Sequence, residues 1–352
     1  MKKIVIAAGG TGGHIIPAMT LGDELQKDPA VEIEYLGVAL SENRFFDKTG
    51  RIYADVEGAN FSKGFFAGLK KIFRGFWQAR KRLKSAQVCR VIGFGSFHSL
   101  PVVLAAWSLG IPFDIVELNT LPGKINRLFS RWAERVFIHF DPSKKLLKGK
   151  PTFINYALKD KKIETTKKEA IAAFGLEQGV RTFLVFGGSQ GAQKISEAWF
   201  EASLKFEEKF QVIHVTHDIE RALTFYRKHK IRAFVTSFIK EMDLAYCAAD
   251  LAICRAGAGA IREMLIYECP AILVPFPKAL DQHQDYNAHF MQDEVGGALY
   301  LKESRLEEKL LTHLEEIFSE GEKKHRLMRE CLSQYKAREK RESLAECIRK
   351  VL

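Results

Sequence analysis

The chain has 352 residues, 47% of them hydrophobic and 28% charged, with a formal net charge of +11. Such a length exceeds one ordinary core and predicts two domains of similar size, and such an apolar content excludes a disordered chain. The basic balance predicts an acidic partner, whether nucleic acid, anionic membrane or phosphorylated substrate, without choosing among them.

The opening run from Lys3 to Ala8, followed by Gly9-Gly10-Thr11-Gly12-Gly13-His14-Ile-Ile-Pro17, reads as a buried strand entering a glycine turn and then a helix. Pro17 fits the helix's first turn, and Leu21 and Leu25 recur at helical spacing. Glycines at a strand-to-helix turn let backbone N–H groups converge on an anion. His14 stands at the lip of that turn, where an imidazole titrating near working pH suits a general base. The N-terminus runs straight into this strand without a signal-peptide pattern, so the cytoplasm is the default compartment.

Further strands are expected at 31–36, 88–92, 113–116 and 135–140, alternating with helical patterns as in a parallel sheet with crossover helices. Between them lies Phe65-Phe66-Ala-Gly-Leu69-Lys70-Lys71-Ile72-Phe73-Arg74-Gly-Phe76-Trp77, continuing into Arg80-Lys81-Arg82. Apolar residues at 65, 69, 72, 73 and 76 make one helical stripe beside basic residues, a composition suited to an anionic membrane surface. A helix packed on the sheet with a solvated basic face predicts much of the same pattern. The longest apolar run, 100–116, is broken by Pro101, Gly110 and Pro112 and reads as a helix followed by a strand. No transmembrane segment is expected.

Residues 141–168 are polar and Lys-rich and read as the linker, dividing the chain into domains at 1–157 and 158–336. A second series of strands, at 182–186, 210–215, 233–235, 251–253 and 271–274, predicts a second sheet. The expected fold class is therefore α/β, with two Rossmann-like doubly wound domains facing across a cleft. A last helix, about 337–352, is expected to pack back on the N-terminal domain.

The first glycine turn does not fit Gly-x-Gly-x-x-Gly, and no acidic residue follows Tyr35-Leu36-Gly37, which disfavours a nicotinamide site. The second turn, Gly187-Gly-Ser189-Gln190-Gly-Ala192, lacks the Gly-Lys-Ser/Thr end of a P-loop, which argues against NTP hydrolysis. Arg255-Ala-Gly257 opens a helix carrying Glu263, whose carboxylate can accept both hydroxyls of a ribose. Gln284 and Asn287, at i and i+3 after Asp281-Gln-His283, suit several sugar hydroxyls, and a capped surface helix has the same spacing. The 6 cysteines contain no Cys-x-x-Cys pair and are expected as buried small hydrophobes. With His283 and His289 lacking a third ligand and no Asp-x-Asp pair present, neither a metal nor a cofactor is expected.

In order along the chain, Gly9–Pro17, Gly93-Phe-Gly95-Ser96-Phe97-His98-Ser99-Leu-Pro101, Glu117-Leu-Asn119, Gly187–Ala192, Arg255–Ala258 with Glu263, and Asp281–Gln284 with Asn287 resemble the MurG family of GT-B glycosyltransferases. Those enzymes, of family 28, transfer GlcNAc from UDP-GlcNAc to the C4 hydroxyl of MurNAc in undecaprenyl-pyrophosphoryl-MurNAc-pentapeptide (lipid I). The product is lipid II, for peptidoglycan. The resemblance implies an inverting transfer with His14 as the base and the acceptor pyrophosphate on Gly10, Gly13, Gly93, Gly95 and Ser96. It places the donor on Thr11, Gly12, Gly13, Asn119, Ser189, Ile239, Arg255, Glu263, Gln284 and Asn287. Of these, Ser189 meets the phosphates, the Ile239 backbone the uracil, Glu263 the ribose, and Gln284 with Asn287 the GlcNAc hydroxyls.

It also implies a membrane-facing patch of Phe65, Phe66, Leu69, Lys70, Ile72, Phe73, Arg74, Phe76 and Trp77. The implied setting is the cytoplasmic face of the bacterial plasma membrane, with UDP-GlcNAc, lipid I, the anionic surface and other cell-wall synthesis proteins as partners, and no nucleic acid. Departures from the family pattern are Val116, Leu118, Ser96, Phe97, Leu158 and Ala260, with Lys159 as a partial substitute for a missing arginine. They predict weaker donor binding with the catalytic residues intact. Another GT-B transferase acting on a lipid acceptor such as diacylglycerol, an epimerase, or a non-catalytic nucleotide-sugar or lipid-pyrophosphate binding protein are the competing readings.

Overall fold

The computed structural model describes residues 1–58, 65–155, 165–187, 192–338 and 342–352. In chain order the elements of the first half are β1 (Lys2–Ala7), α1 (Gly12–Leu25), β2 (Val31–Gly37), β3 (Ile52–Asp55), α2 (Phe65–Ser85), β4 (Arg90–Gly93), α3 (Leu100–Leu109), β5 (Phe113–Glu117), α4 (Lys124–Phe129), β6 (Arg135–Ile138) and β7 (Pro151–Asn155). The second half contains α5 (Lys167–Ala173), β8 (Arg181–Phe186), α6 (Gln193–Lys205), β9 (Phe210–Val215), α7 (Ile219–Lys228), β10 (Arg232–Thr236), α8 (Met242–Ala248), β11 (Leu251–Cys254), α9 (Ala258–Tyr267), β12 (Ala271–Leu273), α10 (His283–His289), β13 (Ala298–Tyr300) and α11 (Leu306–Arg338). The chain ends with β14 (Glu342–Ser343) and α12 (Leu344–Arg349).

Two compact units result, Met1–Lys161 with Arg341–Leu352, and Lys162–Lys340. The first holds a sheet in the order β14-β7-β6-β5-β4-β1-β2-β3 and the second a sheet in the order β10-β9-β8-β11-β12-β13. Every strand pair is parallel. Parallel strands joined by helices are covered on both faces, which is why Ile4–Ala7, Phe183–Val185 and Leu251–Cys254 are continuous apolar runs with no exposure. In each sheet the strand order reverses once, between β1 and β4 in the first unit and between β8 and β11 in the second. Ligands of such folds bind beyond the carboxyl ends of the strands at that reversal. The glycine turns read from the sequence follow these four strands.

Several charged and polar groups inside the units are paired. Arg90 spans Asp114, at 2.9 and 3.0 Å, and Glu134 at 2.9 Å. Burial pushes the Asp114 carboxyl up to about 6, with Arg90 pulling it back. In the second unit His214 is sealed in the core between Ser196 Oγ at 2.9 Å and Tyr226 Oη at 2.8 Å, and burial drives its imidazole down to about 3. That holds His214 neutral, as a structural histidine. On the first sheet, Arg82 reaches the buried Glu34 at 2.6 Å and anchors the C-terminal end of α2 to β2.

The expected strands are found with ends displaced by about two residues or fewer, and the expected helix and strand in 100–116 are α3 and β5. Four strands went unread: β3, β7, β13 and β14. The region read as a linker holds a 3-10 turn at Asp141–Leu146, β7 and the start of α5, while residues 156–164 lie outside the described ones. Its described lysines are exposed and mark a solvated surface, beneath which Ile154 packs at 1% exposure. The last stretch is not one helix from 337 to 352. α11 ends at Arg338, and β14 then pairs with β7 before a Ser343–Glu346 capping box starts α12. Of the cysteines, Cys254, Cys269 and Cys347 are buried as expected, whereas Cys247 and Cys331 are half-buried and Cys89 is exposed.

Candidate active site

At the reversal point of the first unit, Ala7 and Gly93 are register partners, and the Phe94 N–H extends the ladder to the Ala7 carbonyl at 3.0 Å. The two chains then turn sharply, with Gly10 at φ +86°, Gly95 at +73° and Ser96 at +70°. Helix α1 begins at Gly12, and the N–H groups of His14 and Ile15 return to the Thr11 carbonyl at 3.1 and 3.2 Å. Gly12 and Gly13 have no carbonyl within the helix for their own N–H groups. A β-carbon on Gly13 would meet nothing nearer than Thr11 Oγ1 at 3.7 Å, so this helix end is open to a ligand. No acidic side chain lies in the first turn of α1 or α3, which leaves both N-terminal dipoles available to an anion.

Pro17 is not in the first turn of α1, as the sequence reading had it, but well inside the helix. Because proline has no N–H, the Gly13 carbonyl loses its intrahelical donor beside the open turn. His14 is half-exposed in the first turn, its Nδ1 3.5 Å from Thr11 Oγ1. The turn is steadied from β2's side of the sheet by Asn43, whose amide donates to the Gly10 carbonyl at 2.7 Å.

Glu117 at the end of β5 organises the third loop. Its buried carboxylate accepts from the Asn119 N–H at 2.9 Å, the Asn119 amide at 3.3 Å, the Gly123 N–H at 2.9 Å and the Asn126 amide at 2.9 Å. Burial raises this carboxyl and those donors pull it the other way. Asn119 is thereby held half-buried at the strand end. The departures Val116 and Leu118 are both buried, so the apolar residues enter the core rather than the loop surface. The anchoring role of Glu117 was missed in the sequence, where a charged residue ending an apolar strand was the available signal.

Gly188, Ser189, Gln190 and Gly191 of the second unit fall outside the described residues, as does Leu158 of the first. Arg255 follows β11, is buried, and donates to the Val274 and Pro275 carbonyls at 3.2 and 3.1 Å. It also pairs with Glu303 and lies over the Phe276 ring at 5.4 Å. The structure thus commits its guanidinium to holding the 274–276 loop. Gly257 and Gly259, at the start of α9, face open space, so backbone N–H groups are the accessible donors there.

Glu263 lies one face further along α9, and burial lifts its carboxyl to about 7, against the pull of the Tyr246 hydroxyl. Ile239 is buried after β10, next to Phe238, which is 74% exposed and was not singled out in the sequence. Gln284 accepts from the Phe276 N–H at 2.9 Å through Oε1. Asn287 is fully buried, donating to the Ala256 carbonyl at 3.0 Å, so the pair does not form one open polar face. Before α10, Asp281 and Gln282 both sit in the left-handed region, at φ +51° and +55°, a strained conformation for side-chain-bearing residues.

Helix α2 divides the stripe read from its sequence. Ala79 and Leu83 are buried on the sheet, with Ile72 and Phe76 half-buried along the same face. Leu69, Phe73 and Trp77 form a second row facing outward, Phe73 at 62% and Trp77 at 52% exposure. Lys70, Lys71 and Arg74 are exposed around it, and Arg80 lies 5.9 Å above the Trp77 ring. Nothing is described of the Phe65 and Phe66 side chains. Arg80 also bonds Ser108 beside Trp107, and Trp107 meets Trp132 at 5.3 Å with Arg131 over the latter's ring at 5.0 Å. Trp107 and Trp132 extend the exposed aromatic surface, and only the fold could reveal them, since they are distant from α2 in sequence.

The profile of the glycosyltransferase family 28 N-terminal domain matches residues 4–138, and that of the family's C-terminal domain matches 182–346. The UDP-N-acetylglucosamine–N-acetylmuramyl-(pentapeptide) pyrophosphoryl-undecaprenol N-acetylglucosamine transferase of Protochlamydia amoebophila is 38% identical over 86% of this chain and 84% of its own length. The corresponding protein of Halothermothrix orenii is 36% identical over 91% of each chain. Among solved structures, MurG of Acinetobacter baumannii superposes with a TM-score of 0.75 at 27% identity, covering 98% of this chain and 97% of its own. With two doubly wound parallel sheets, glycine turns at both reversal points and this pattern of likeness, the chain has the GT-B fold and belongs to glycosyltransferase family 28.

Proposed function

We propose that the protein transfers GlcNAc from UDP-GlcNAc to the MurNAc C4 hydroxyl of undecaprenyl-pyrophosphoryl-MurNAc-pentapeptide, forming lipid II. The observation that carries this reading is the pair of open, left-handed glycine turns at the first unit's strand reversal, with His14 in the turn of α1 beside them. Their backbone N–H groups suit the acceptor's pyrophosphate. His14 takes the proton from the attacking hydroxyl, whose oxygen bonds the anomeric carbon as the bond to UDP breaks, with inversion. The donor falls to the second unit, with Glu263 on the ribose, the Ile239 backbone and the Phe238 ring on the uracil, and Gln284 on the sugar. Residues 1–157 serve the acceptor and membrane, and 158–336 the donor.

Among the described residues no helix is long and apolar enough to cross a membrane. The outward row of α2 with its lysines and arginine supports peripheral attachment to an anionic cytoplasmic membrane surface, each basic residue there contributing roughly 1 kcal/mol. Incubation with radiolabelled UDP-GlcNAc and either a lipid I analogue or diacylglycerol tests the reading. Label is expected in the lipid I analogue alone. Transfer to diacylglycerol instead would overturn it in favour of another lipid-acceptor transferase, and binding of UDP-GlcNAc without transfer in favour of a non-catalytic binding protein.

A further inference from the structure

His98 has no part in the mechanism above, yet it occupies the junction of the two glycine turns. A β-carbon on Gly9 would stand 2.5 Å from His98 Cβ, and one on Gly10 would stand 3.1 Å from its Nδ1 and 3.3 Å from its Cε1. The imidazole therefore lies along the Gly9–Gly10 backbone, and glycine at both positions is what admits it. Its Nδ1 is 2.8 Å from Ser96 Oγ, and the backbone N–H of His98 points at the same oxygen at 3.4 Å. With that N–H donating to one lone pair of Ser96 Oγ, the hydroxyl keeps its single proton to donate to Nδ1. The ring's own proton then resides on Nε2. Burial holds His98 below its ordinary value and so neutral. Among the described residues Nε2 has no hydrogen-bond partner, and it is not sealed from solvent.

We propose that His98 is a positioning residue for the acceptor's pyrophosphate: Ser96 sets its tautomer, and the Nε2–H donates to a phosphate oxygen held between the two turns. This rests on the reading of those turns as the acceptor site. It assigns the left-handed Ser96 a purpose, since its hydroxyl acts through the imidazole. Hydrogen bonds to charged groups are the stronger class, so removal of the donor is read in acceptor affinity, while donor affinity and the chemical step are left alone.

The test compares His98→Met, which keeps bulk without the donor, with His98→Gln, whose amide can donate from a similar reach. In transfer from UDP-GlcNAc to a lipid I analogue, His98→Met is expected to raise the acceptor KM about tenfold or more, with kcat and the UDP-GlcNAc KM within about twofold. His98→Gln recovers most of the loss. On the wild-type protein, inorganic pyrophosphate at concentrations that move the Gly12 and Gly13 amide resonances should also move His98 Nε2 and Cε1. An unchanged acceptor KM in a folded His98→Met, equal losses in both variants, or His98 resonances that stay still while those glycine amides shift would each overturn the proposal. If His98→Met does not fold, the wild-type titration and His98→Gln decide. A wild-type protein that moves no GlcNAc to the lipid I analogue, yet shows the His98 shift, overturns the functional reading and leaves the anion contact standing.

Discussion

The amide nitrogen of Asn126 lies 2.9 Å from where a β-carbon on Gly95 would stand, and the same nitrogen donates to Glu117 Oε2 at 2.9 Å. The Gly95 turn is thus braced against the buried carboxylate that also holds Asn119 and Gly123. Gly95→Ala meets a left-handed backbone and an amide that cannot retreat without releasing that carboxylate. The backbone cost is roughly 1–2 kcal/mol and the disturbed bond about 1–3 kcal/mol. Urea unfolding is expected to show a loss of roughly 2–4 kcal/mol. A variant as stable as the parent would mean that the turn is not braced in this way.

Ser96 offers a finer comparison, because it adopts φ +70°, in the left-handed region that favours glycine. Ser96→Gly and Ser96→Ala both remove the hydroxyl that meets His98, but only alanine keeps a β-carbon in the left-handed region. Ser96→Gly should be the more stable of the two by about 1 kcal/mol in the same denaturant assay. Equal stabilities would remove the claim of backbone strain at this position.

The two apolar rows of α2 make opposite predictions. Leu83→Ala, on the buried row, should cost about 2–5 kcal/mol of stability through the cavity it leaves. Phe73→Ser with Trp77→Ser, on the exposed row, should change stability by about 1 kcal/mol or less while lowering partition onto phosphatidylglycerol vesicles at least roughly tenfold. Vesicle sedimentation at low and high salt separates the aromatic contribution from that of Lys70, Lys71 and Arg74. Undiminished sedimentation of the double variant would count against membrane attachment through this helix.

For His14→Ala, kcat is expected to fall by a factor of ~10² to 10⁴ while UDP affinity changes little, since general-base assistance acts in the chemical step. Single-turnover transfer together with calorimetric titration of UDP checks both halves. Unaltered turnover excludes His14 as the base.

Glu263 carries a pH signature. Its carboxyl is lifted to about 7 by burial, so near neutrality the empty site is divided between the protonated and ionised forms. A ribose diol donates two hydrogen bonds to an ionised carboxylate, which favours that form in the complex and releases a proton on binding. UDP affinity should therefore rise with pH, by about tenfold from pH 6 to pH 8 if the bound value lies well below 6. Glu263→Gln should bind more weakly and flatten this dependence. A parent whose UDP affinity is level across that range would contradict ribose binding by the ionised group.

Much of the architecture was legible because burial writes itself into short apolar runs. Parallel strands covered on both faces must be apolar throughout, and glycine must follow where the chain turns tightly at a strand's end. The four unread strands are short or lie beside the sheet edges: β3 exposes Ile52, β7 starts on a proline, β13 has three residues and β14 two. Only their parallel partners make strands of them.

The site divides in the same way. The residue types, the glycine turns and the chemistry proposed for His14 and Glu263 follow from local composition, because a turn and a titratable group are properties of a few consecutive residues. Tertiary structure decided which polar groups are spent on the fold. It buried Asn287 against Ala256, tied Arg255 to the 274–276 loop, and turned Ile72, Phe76, Ala79 and Leu83 of α2 toward the sheet and Leu69, Phe73 and Trp77 toward solvent. It also set His98 against Gly9 and Gly10, residues far from it in the chain. By itself the sequence determined where the chain turns and what chemistry it carries there. Which side chains are free to meet a ligand depends on distances between residues remote in sequence, and packing alone sets those.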